Sequence, residues 1–269
     1  MGAQRYLPSV RGARRADRVG KKRLFRSFIV LTKDFLRERH REDLTPEDID
    51  TLESAVSEVR EIGARQLLVR AGEPVTMSTL LLEGFMCRYM DDRAGERQLV
   101  AVHVAGDFVD LHGFPLKRLD HDVATLTEVR VAMVPHAHLA RIVAERPNLT
   151  RLLWFSTLID AAMHREWIFR LGRLDAIGRI SHFLCELDAK LQAVGRSDGV
   201  RFELPINQND LGEACGMTGV HVNRILRQLR EEKVMTFRAG VVEIHDRKRL
   251  ERIGEFDPAY LYIDGAEAR

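Results

Sequence analysis

The sequence predicts an α+β fold made of an N-terminal β jelly roll (a double-stranded β-helix), a long dimerisation helix and a C-terminal winged helix-turn-helix. Three observations predict these parts. Glycines recur every eleven or twelve residues between positions 72 and 106, with short alternating runs between them. Helical spacing of apolar residues then extends for about 25 residues after Pro147, and a glycine turn joins two short helical patterns beyond Leu204.

The composition is that of a soluble globular chain. Hydrophobic residues make up 45% and charged residues 30% of the 269 residues, which excludes wholesale disorder. The net charge of +2 neither requires nor excludes a nucleic-acid partner. Three widely spaced cysteines without a C-x-x-C pair argue against a disulfide scaffold or a thiolate metal site, so we expect a cytoplasmic protein. No apolar run reaches about 18 residues, and we expect no membrane partner.

The first 26 residues are strongly basic, with nine arginine and lysine residues against the single acid Asp17. They lack an apolar core and therefore do not form a secretory signal. We predict residues 1–43 to be a largely disordered extension and lead-in. The basic residues could contact DNA phosphates or a membrane surface, but a solvated tail, or residues upstream of the true start, is the simpler interpretation.

Residues 44–146 form the predicted jelly-roll domain. Thr45 and Pro46 read as the N-cap and first turn of a helix, and the helical spacing extends from Leu44 to Ile62. Short strands follow between Arg60 and Pro135. Their alternating runs lie at 66–70, 80–83, 98–104 and 125–134. Many short strands at regular turn spacing favour a jelly roll or a related β-sandwich.

Residues 147–172 form the predicted long helix, which ends at the expected hinge residue Gly172. Apolar residues lie on more than one side of this helix, so more than one side must be covered. The β domain can cover one side, and we expect the same helix of a second copy to cover the other. An internal helix of a single-chain core is the alternative. The residues expected at the dimer interface are Leu152, Phe155, Ile159 and Met163.

Residues 173–255 read as the DNA-binding domain, and residues 256–269 as a tail. Asp175 can cap the first helix of this domain, and a short strand follows at 200–204. The helix-turn-helix comes next. Its first helix spans 207–215, the turn is Gly216-Met217, and Thr218 caps the second helix.

A predicted hairpin around Arg238, with strands at 234–237 and 241–244, completes the domain as its wing. Within the second helix, Arg224 can pair with guanine O6 and N7, and Asn223 with adenine N6 and N7. Arg227 and Arg230 are better placed for phosphates. The candidate DNA-binding residues are Thr218, Val220, His221, Asn223, Arg224, Arg227, Gln228, Arg230 and Arg238.

These motifs together resemble the Crp/Fnr superfamily of bacterial transcription regulators over residues 30–255. The resemblance is carried by Ala105-Gly106-Asp107-Phe108, by the helix from Trp154 to Trp167, and by Val220-His221-Val222-Asn223-Arg224-Ile225-Leu226. It implies a homodimer without catalytic activity that binds an imperfect palindrome in double-stranded DNA, with RNA polymerase as a further partner. Arg224 matches a base-reading arginine of the family, whereas Val220 replaces its frequent glutamate, so the target half-site is expected to differ.

The resemblance also indicates where an effector would bind, but the residues differ from those of cyclic-AMP-binding members. Leu111 stands where those members carry a glutamate for the ribose, and Asp120 and Asp122 lie where an Arg-Ser pair holds the cyclic phosphate. Two acids would repel a phosphate, so cyclic AMP is disfavoured. The expected pocket, for an unknown small-molecule effector or none, comprises Asp107, Phe108, Leu111, His112 and His121.

We expect no cofactor. The oxygen-sensing members of the family hold an iron–sulfur cluster on four cysteines, three of them near the N-terminus, but the first cysteine here is Cys87. A haem on Cys87 or a nearby histidine would rest on isolated residues, which more often pack or face solvent.

Two other functions stay open from the sequence: a cyclic-nucleotide-responsive regulator, and a cupin-type metalloenzyme built on the same jelly roll. His136 and His138 would point the same way if they lay on a strand, as a metal-binding pair does. The pair follows Pro135 rather than a glycine, however, and the next glutamate is Glu145. The cupin spacing is therefore not met.

Overall fold

The computed structural model describes residues 30–264, so the predictions for residues 1–26 lie outside the described residues. A lead-in of turns, ending in the 3-10 helix Arg41–Asp43, precedes helix α1 (Pro46–Ala55). A capping box starts α1, because the Thr45 side chain accepts from the Asp48 amide (3.1 Å) and the Asp48 side chain accepts from the Thr45 amide (3.2 Å). The helix ends at Ala55, so the helical prediction as far as Ile62 was wrong.

Residues 58–135 form the predicted jelly roll, with seven strands in two antiparallel sheets. The strand orders are β1-β7-β3 and β2-β6-β4-β5. The strands are β1 (Glu58–Ile62), β2 (Leu67–Val69), β3 (Met77–Glu83), β4 (Met86–Asp91), β5 (Arg97–His103), β6 (Asp122–Thr125) and β7 (Val129–Pro135), with the single-turn helix α2 (Gly113–Leu116) before β6. The predicted run 125–134 is thus divided between two strands, and β1 replaces the end of the predicted helix because it pairs with β7.

The turn after β5 brings the lead-in against the jelly roll. Gly106 has a φ of 90°, and a Cβ atom there would overlap the backbone carbonyl of Asp34. Glycine is therefore required both by the backbone conformation and by the close approach of the lead-in. Phe35 in the lead-in packs edge-on against Phe108, with 5.5 Å between the ring centroids.

Three helices connect the jelly roll with the C-terminal domain. They are α3 (His136–Glu145), α4 (Pro147–Arg173) and α5 (Ala176–Ala193). Helix α4 continues through Gly172 and ends at Arg173, one residue beyond the predicted end. The Asp175 side chain caps α5 as predicted, accepting from the Gly178 amide at 2.9 Å.

The face of α4 that meets the jelly roll is the one predicted to form the dimer interface. Leu152 and Ile159 are only 1% and 3% exposed and lie in the protomer's own core, and Met163 packs against the same core. Phe155 packs edge-on against Tyr262. Leu152 and Ile159 are thus covered within the protomer, so the predicted interface was wrong at these two positions; for the half-buried Phe155 and Met163 it stays a prediction.

The opposite face of α4 carries a solvent-exposed stripe. Trp154, Leu158 and Ile168 are 64%, 50% and 73% exposed. With the exposed Ala161 and Arg165, they are separated by alternate steps of four and three residues. This is the spacing of a two-helix seam. We call these five residues the α4 stripe.

The C-terminal domain is a winged helix-turn-helix, as predicted. Its elements after α5 are β8 (Arg201–Glu203), α6 (Gln208–Cys215), α7 (Gly219–Glu231), β9 (Met235–Arg238), β10 (Val241–Ile244), α8 (Arg247–Ile253) and a 3-10 turn at Pro258–Leu261. The three strands form one antiparallel sheet in the order β8-β10-β9. No helix among the described residues combines the length and apolar character needed to cross a membrane.

The C-terminal domain packs directly on the jelly roll. Cys87 and Leu99 of the four-stranded sheet belong to the same buried cluster as Phe183 of α5. Above this cluster, Arg65 forms a two-pronged ion pair with Asp210 at the start of α6. Arg97 Nε also donates to Glu213 at 2.7 Å. Apolar and charged contacts together therefore fix α6 against the sheet.

Candidate nucleic-acid interface and sensor cavities

The two helices of the helix-turn-helix are joined by a tightly constrained turn. Gly216 ends α6 with a φ of 64°, which favours glycine. The Met217 amide donates to the Gly212 carbonyl at 3.0 Å, and a Cβ atom on Gly212 would overlap the Met217 carbonyl. Thr218 then caps α7 by accepting from the His221 amide at 3.3 Å. The angle between α6 and α7 is therefore set by two glycines and one cap.

Helix α7 has one buried and one exposed face. The buried face consists of Val222, Ile225, Leu226 and Leu229. On the other face, Val220 is 84% exposed, and Asn223, Arg224, Arg227 and Gln228 are also exposed. His221 and Arg230 are half-buried. The structure thus brings the predicted reading residues to one surface.

Contacts within this surface orient the side chains expected to read bases. A guanidinium N–H of Arg224 donates to His221 Nε2 at 2.9 Å, which requires a neutral ring. Asn223 Nδ2 donates to Gln208 Oε1 at 3.2 Å. The Gln228 amide donates to Glu232 at 3.0 Å and is therefore engaged within the helix. Arg238 lies exposed at the wing, as predicted.

Gln208 and Asn209 belong to the same surface, and the sequence analysis did not include them. They line a groove of about 540 Å³ together with Val220, Asn223 and Arg224 of α7. Both are exposed polar residues immediately after the Asn207 cap of α6. That position, about two helical turns before the turn glycine Gly216, is the signal that could have identified them.

The predicted effector residues line two different cavities. His112 and His121 line a groove of about 420 Å³ between the four-stranded sheet and α4, with Trp167 and Ile168 on its other side. Asp107, Phe108 and Leu111 line a narrow, partly open cavity of only about 40 Å³, which His112 also touches. The five residues are therefore brought close together, but they do not form one pocket.

A buried ion pair, missed by the sequence analysis, lies between the two cavities. Arg88 on β4 is 2% exposed; its Nε donates to the Val109 carbonyl and its Nη1 to Asp160 on α4, both at 2.6 Å. Burial alone would raise the pKa of Asp160, but Arg88 outweighs it and lowers that pKa to about 2. An arginine inside an otherwise buried strand was the available signal.

The two pocket histidines lie side by side, with 5.2 Å between their ring centroids. His121 Nδ1 is 2.9 Å from Asp120 Oδ1. Burial lowers the pKa of His112 to about 3, and burial followed by the charge of Arg88 lowers that of His121. Both rings are therefore neutral at pH 7, and the groove offers neutral imidazoles rather than cations to a ligand.

Asp107 connects the jelly roll with the C-terminal domain. Its carboxylate lies 3.0 Å from Lys190 Nζ on α5, and it also accepts from the Val104 amide at 3.1 Å. Burial alone would raise the pKa of Asp107, but the ammonium of Lys190 holds it well below its usual range. Asp107 thus has a structural partner in place of the predicted ligand.

The histidine pair considered as a metal site lies on a helix. His136 and His138 are on α3, not on a strand. His136 Nε2 is 3.3 Å from Ser78 Oγ, and His138 Nδ1 is 2.8 Å from the Ala55 carbonyl. The two rings therefore have separate protein partners. One group of three residues able to ligate a metal was found among residues 30–264, the exposed His40, Glu42 and Asp264.

We expect acid to destabilise the fold through His103. Burial, aided by Arg88, lowers the pKa of His103 from 6.5 to about 4, so the folded protein binds fewer protons than the unfolded chain in this range. The stabilisation is complete above pH 6.5 and is lost as the pH falls through 4. His112 acts in the same sense. Asp110 opposes both, because burial raises its pKa to about 6.

The expected net loss between pH 7 and pH 5 is about 2 kcal/mol, seen as a lower melting temperature (Tm). His103→Gln should flatten the dependence of Tm on pH, and Asp110→Asn should steepen it. An equally steep dependence in His103→Gln would contradict the role of this ring.

Two family models match the chain. A model described as a Crp-like helix-turn-helix domain matches residues 178–253, and one described as a cyclic nucleotide-binding domain matches residues 59–146. The first match contains α6, α7 and the wing, and the second covers the jelly roll from the second residue of β1 through β7.

Curated relatives and solved structures agree with these matches. A probable transcriptional activator of Rhizobium leguminosarum bv. viciae is 30% identical over 202 residues, covering 72% of this chain and 80% of the relative. The transcriptional activator protein anr of Pseudomonas aeruginosa is 25% identical, covering 76% and 83%. The structure of FixK2 from Bradyrhizobium japonicum has a TM-score of 0.67 at 23% identity, covering 73% of this chain and 96% of that one. At 23% identity, the similarity to FixK2 shows a shared fold only.

Proposed function

Because the chain belongs to the Crp/Fnr family of transcription regulators, we propose that it is a cytoplasmic homodimer that binds an imperfect palindrome in double-stranded DNA. The observation that carries this proposal is the exposed polar face of α7, whose inner face is fully packed. Each protomer inserts α7 into a major groove, with half-sites about 34–36 Å apart. RNA polymerase is a proposed further partner, and the proposed activity is regulatory rather than catalytic.

The α4 stripe is the proposed dimer seam. Its apolar side chains are the most exposed on α4, and their spacing matches two helices packed side by side. Arg165 lies near the middle of this seam. A charged side chain there favours one register of the two helices and lowers the affinity of the protomers for each other. This seam replaces the interface of Leu152, Phe155, Ile159 and Met163 expected from the sequence.

We further propose that an effector, if one binds, is a small molecule other than cyclic AMP and enters the groove of about 420 Å³ beside His112 and His121. Arg88 is committed to Asp160, and Asp120 adds a negative charge where a cyclic phosphate would need a cation. The proposal includes no iron–sulfur cluster, because such a cluster takes four thiolates and the sequence has three cysteines. It includes no haem on Cys87, because burial raises the pKa of that thiol and so disfavours the ligating thiolate.

The test is in vitro selection of DNA sites by the purified chain at a fixed salt concentration, together with its dimer dissociation constant. We expect enrichment of a two-fold symmetric site. Leu158→Glu should raise the dimer dissociation constant about 100-fold, because two carboxylates would enter the apolar seam, and should reduce enrichment of the symmetric site. Leu116→Glu, at an equally exposed leucine on α2, is the matched control and should leave both unchanged.

The outcomes separate the parts of the proposal. Enrichment of a single half-site by a wild-type monomer would contradict the homodimer. No enrichment by a folded dimer would mean that an effector must first set the positions of the two α7 helices, and would direct the search for it to the groove beside His112 and His121.

A further inference from the structure

The narrow, partly open cavity of about 40 Å³ is lined by an unusual arrangement of charges. Its walls come from the lead-in, the turn after β5, α4 and α5. Three acids reach it, and each has a basic partner: Asp160 pairs with Arg88 (2.6 Å), Asp107 with Lys190 (3.0 Å) and Asp34 with Arg37 (3.3 Å). The cavity wall therefore contains a further cation, Arg39, beyond these three pairs.

Arg39 is buried without an ion-pair partner among residues 30–264. It is 9% exposed, and its Nε and Nη2 atoms have no hydrogen-bond partner among the same residues. Burial lowers the pKa of Arg39, and the more distant charges of Asp107, Glu186 and Asp264 offset this only in part. An arginine nevertheless keeps its charge in a protein. A buried charge without a partner is costly, so a ligand that neutralises it gains this energy on binding.

The cavity adds further hydrogen-bonding groups. His103 is 2% exposed and lines the same space; its Nδ1 lies 3.5 Å from Asp107 Oδ2, and its Nε2 has no hydrogen-bond partner among the described residues. Lys190 on α5 adds a second positive charge from the side of the C-terminal domain. Its ammonium also donates to the Val102 carbonyl of the jelly roll at 2.9 Å. The wall thus combines a guanidinium that lacks an ion-pair partner among the described residues, a second cation and an imidazole.

The volume limits the ligand. One water needs about 10–15 Å³ of such a cavity, so this one holds about three waters or a single ion of a few atoms. Water would satisfy the free N–H groups but would not neutralise Arg39. A nucleotide or any other drug-sized molecule exceeds the space many times over.

We propose that this cavity binds one small monovalent anion, of the size of chloride, nitrate or formate, through Arg39. The anion completes the charge balance at the junction of the jelly roll and α5. Because Lys190 and His103 come from different domains, the bound anion stabilises their packed arrangement. This site is separate from the groove beside His121 and does not depend on DNA binding.

The experiment measures Tm of the full chain at constant ionic strength while gluconate, which is too large for the cavity, is replaced by chloride, nitrate or formate. At about 100 times the dissociation constant of the anion, we expect Tm to rise by about 5–10 °C in a saturable manner. Arg39→Gln should abolish this rise and be no less stable than the wild type in gluconate, because the uncompensated charge is gone.

Arg93→Gln is the matched control, since Arg93 is exposed in the turn between β4 and β5. It should keep the full anion dependence. The chloride-35 NMR line width of the wild-type protein, narrowed by competing nitrate, gives a second measurement that needs no variant. Equal Tm values in all anions, an unchanged line width, or an anion dependence retained by Arg39→Gln would each overturn the proposal. Neither measurement involves DNA, so its failure is distinguishable from failure of the regulator function.

Discussion

Replacing Arg224 with alanine is expected to weaken binding to the selected DNA site by about 30- to 20,000-fold. A bidentate arginine contact to guanine discriminates by about 1–3 kcal/mol, and a dimer makes the contact twice. The side chain is exposed and oriented by His221 at 2.9 Å, so its removal leaves the packing of α7 intact. The measurement is a comparison of dissociation constants for the selected site and for unrelated DNA.

The matched comparison for this prediction is Arg227→Ala, one turn further along α7. Arg227 is expected to contact phosphate, so its loss should weaken specific and unrelated sites alike and reduce the salt dependence of binding. Arg224→Ala should instead relax the sequence preference at one base of each half-site. If Arg224→Ala weakens binding to the selected site and to unrelated DNA by the same factor, as expected for Arg227→Ala, the base-reading role of Arg224 is wrong.

Asp160→Ala is expected to lower the stability of the fold by about 3–5 kcal/mol, a fall in Tm of roughly 6–20 °C. The alanine would leave the guanidinium of Arg88, which is 2% exposed, without its carboxylate. Breaking a buried pair is costly chiefly because one charge is left unpaired. Thermal unfolding of the variant at pH 7 measures the effect.

The control is the double variant Arg88→Met/Asp160→Leu, in which both charges are replaced by apolar side chains. It should recover most of the stability lost by Asp160→Ala, because neither partner is then left charged. Asp50→Ala, at an exposed residue of α1, should change Tm little. A double variant as unstable as Asp160→Ala would mean that the packing of Asp160, and not the charge on Arg88, decides the effect.

Helix α7 could be predicted from the sequence because the residues that determine its start and its buried face are close together in the chain. Thr218 as a cap, Gly216 in the turn and the 3.6-residue period of Val222, Ile225 and Leu229 act within a few residues of one another. The jelly roll followed likewise from short strands between glycines. One boundary failed: Val59 fits a helical period, but pairing of β1 with β7 decided its conformation. That pairing joins residues more than 70 positions apart.

The proposed dimer seam and the cavities around Arg88 could not be predicted because they depend on tertiary packing. Helix α4 is apolar on several sides, and its rotation is set by how Leu152 and Ile159 fit the jelly roll. Arg88 and Asp160 are 72 residues apart, and no local pattern indicates that they pair. The same reason separates His121, which lines the open groove, from Asp107, which is tied to Lys190 on α5.

The buried cluster that Cys87 and Leu99 share with Phe183 has a consequence for how the protein loses its structure. A hydrophobic core that crosses a domain boundary cannot be dismantled on one side alone, because the other side would be left with an apolar surface facing water. Heating should therefore unfold the jelly roll and the C-terminal domain in a single cooperative transition. For the same reason, a fragment beginning at Asp175 would expose the apolar face that packs on the jelly roll and would aggregate. The C-terminal domain is therefore best studied within the whole chain.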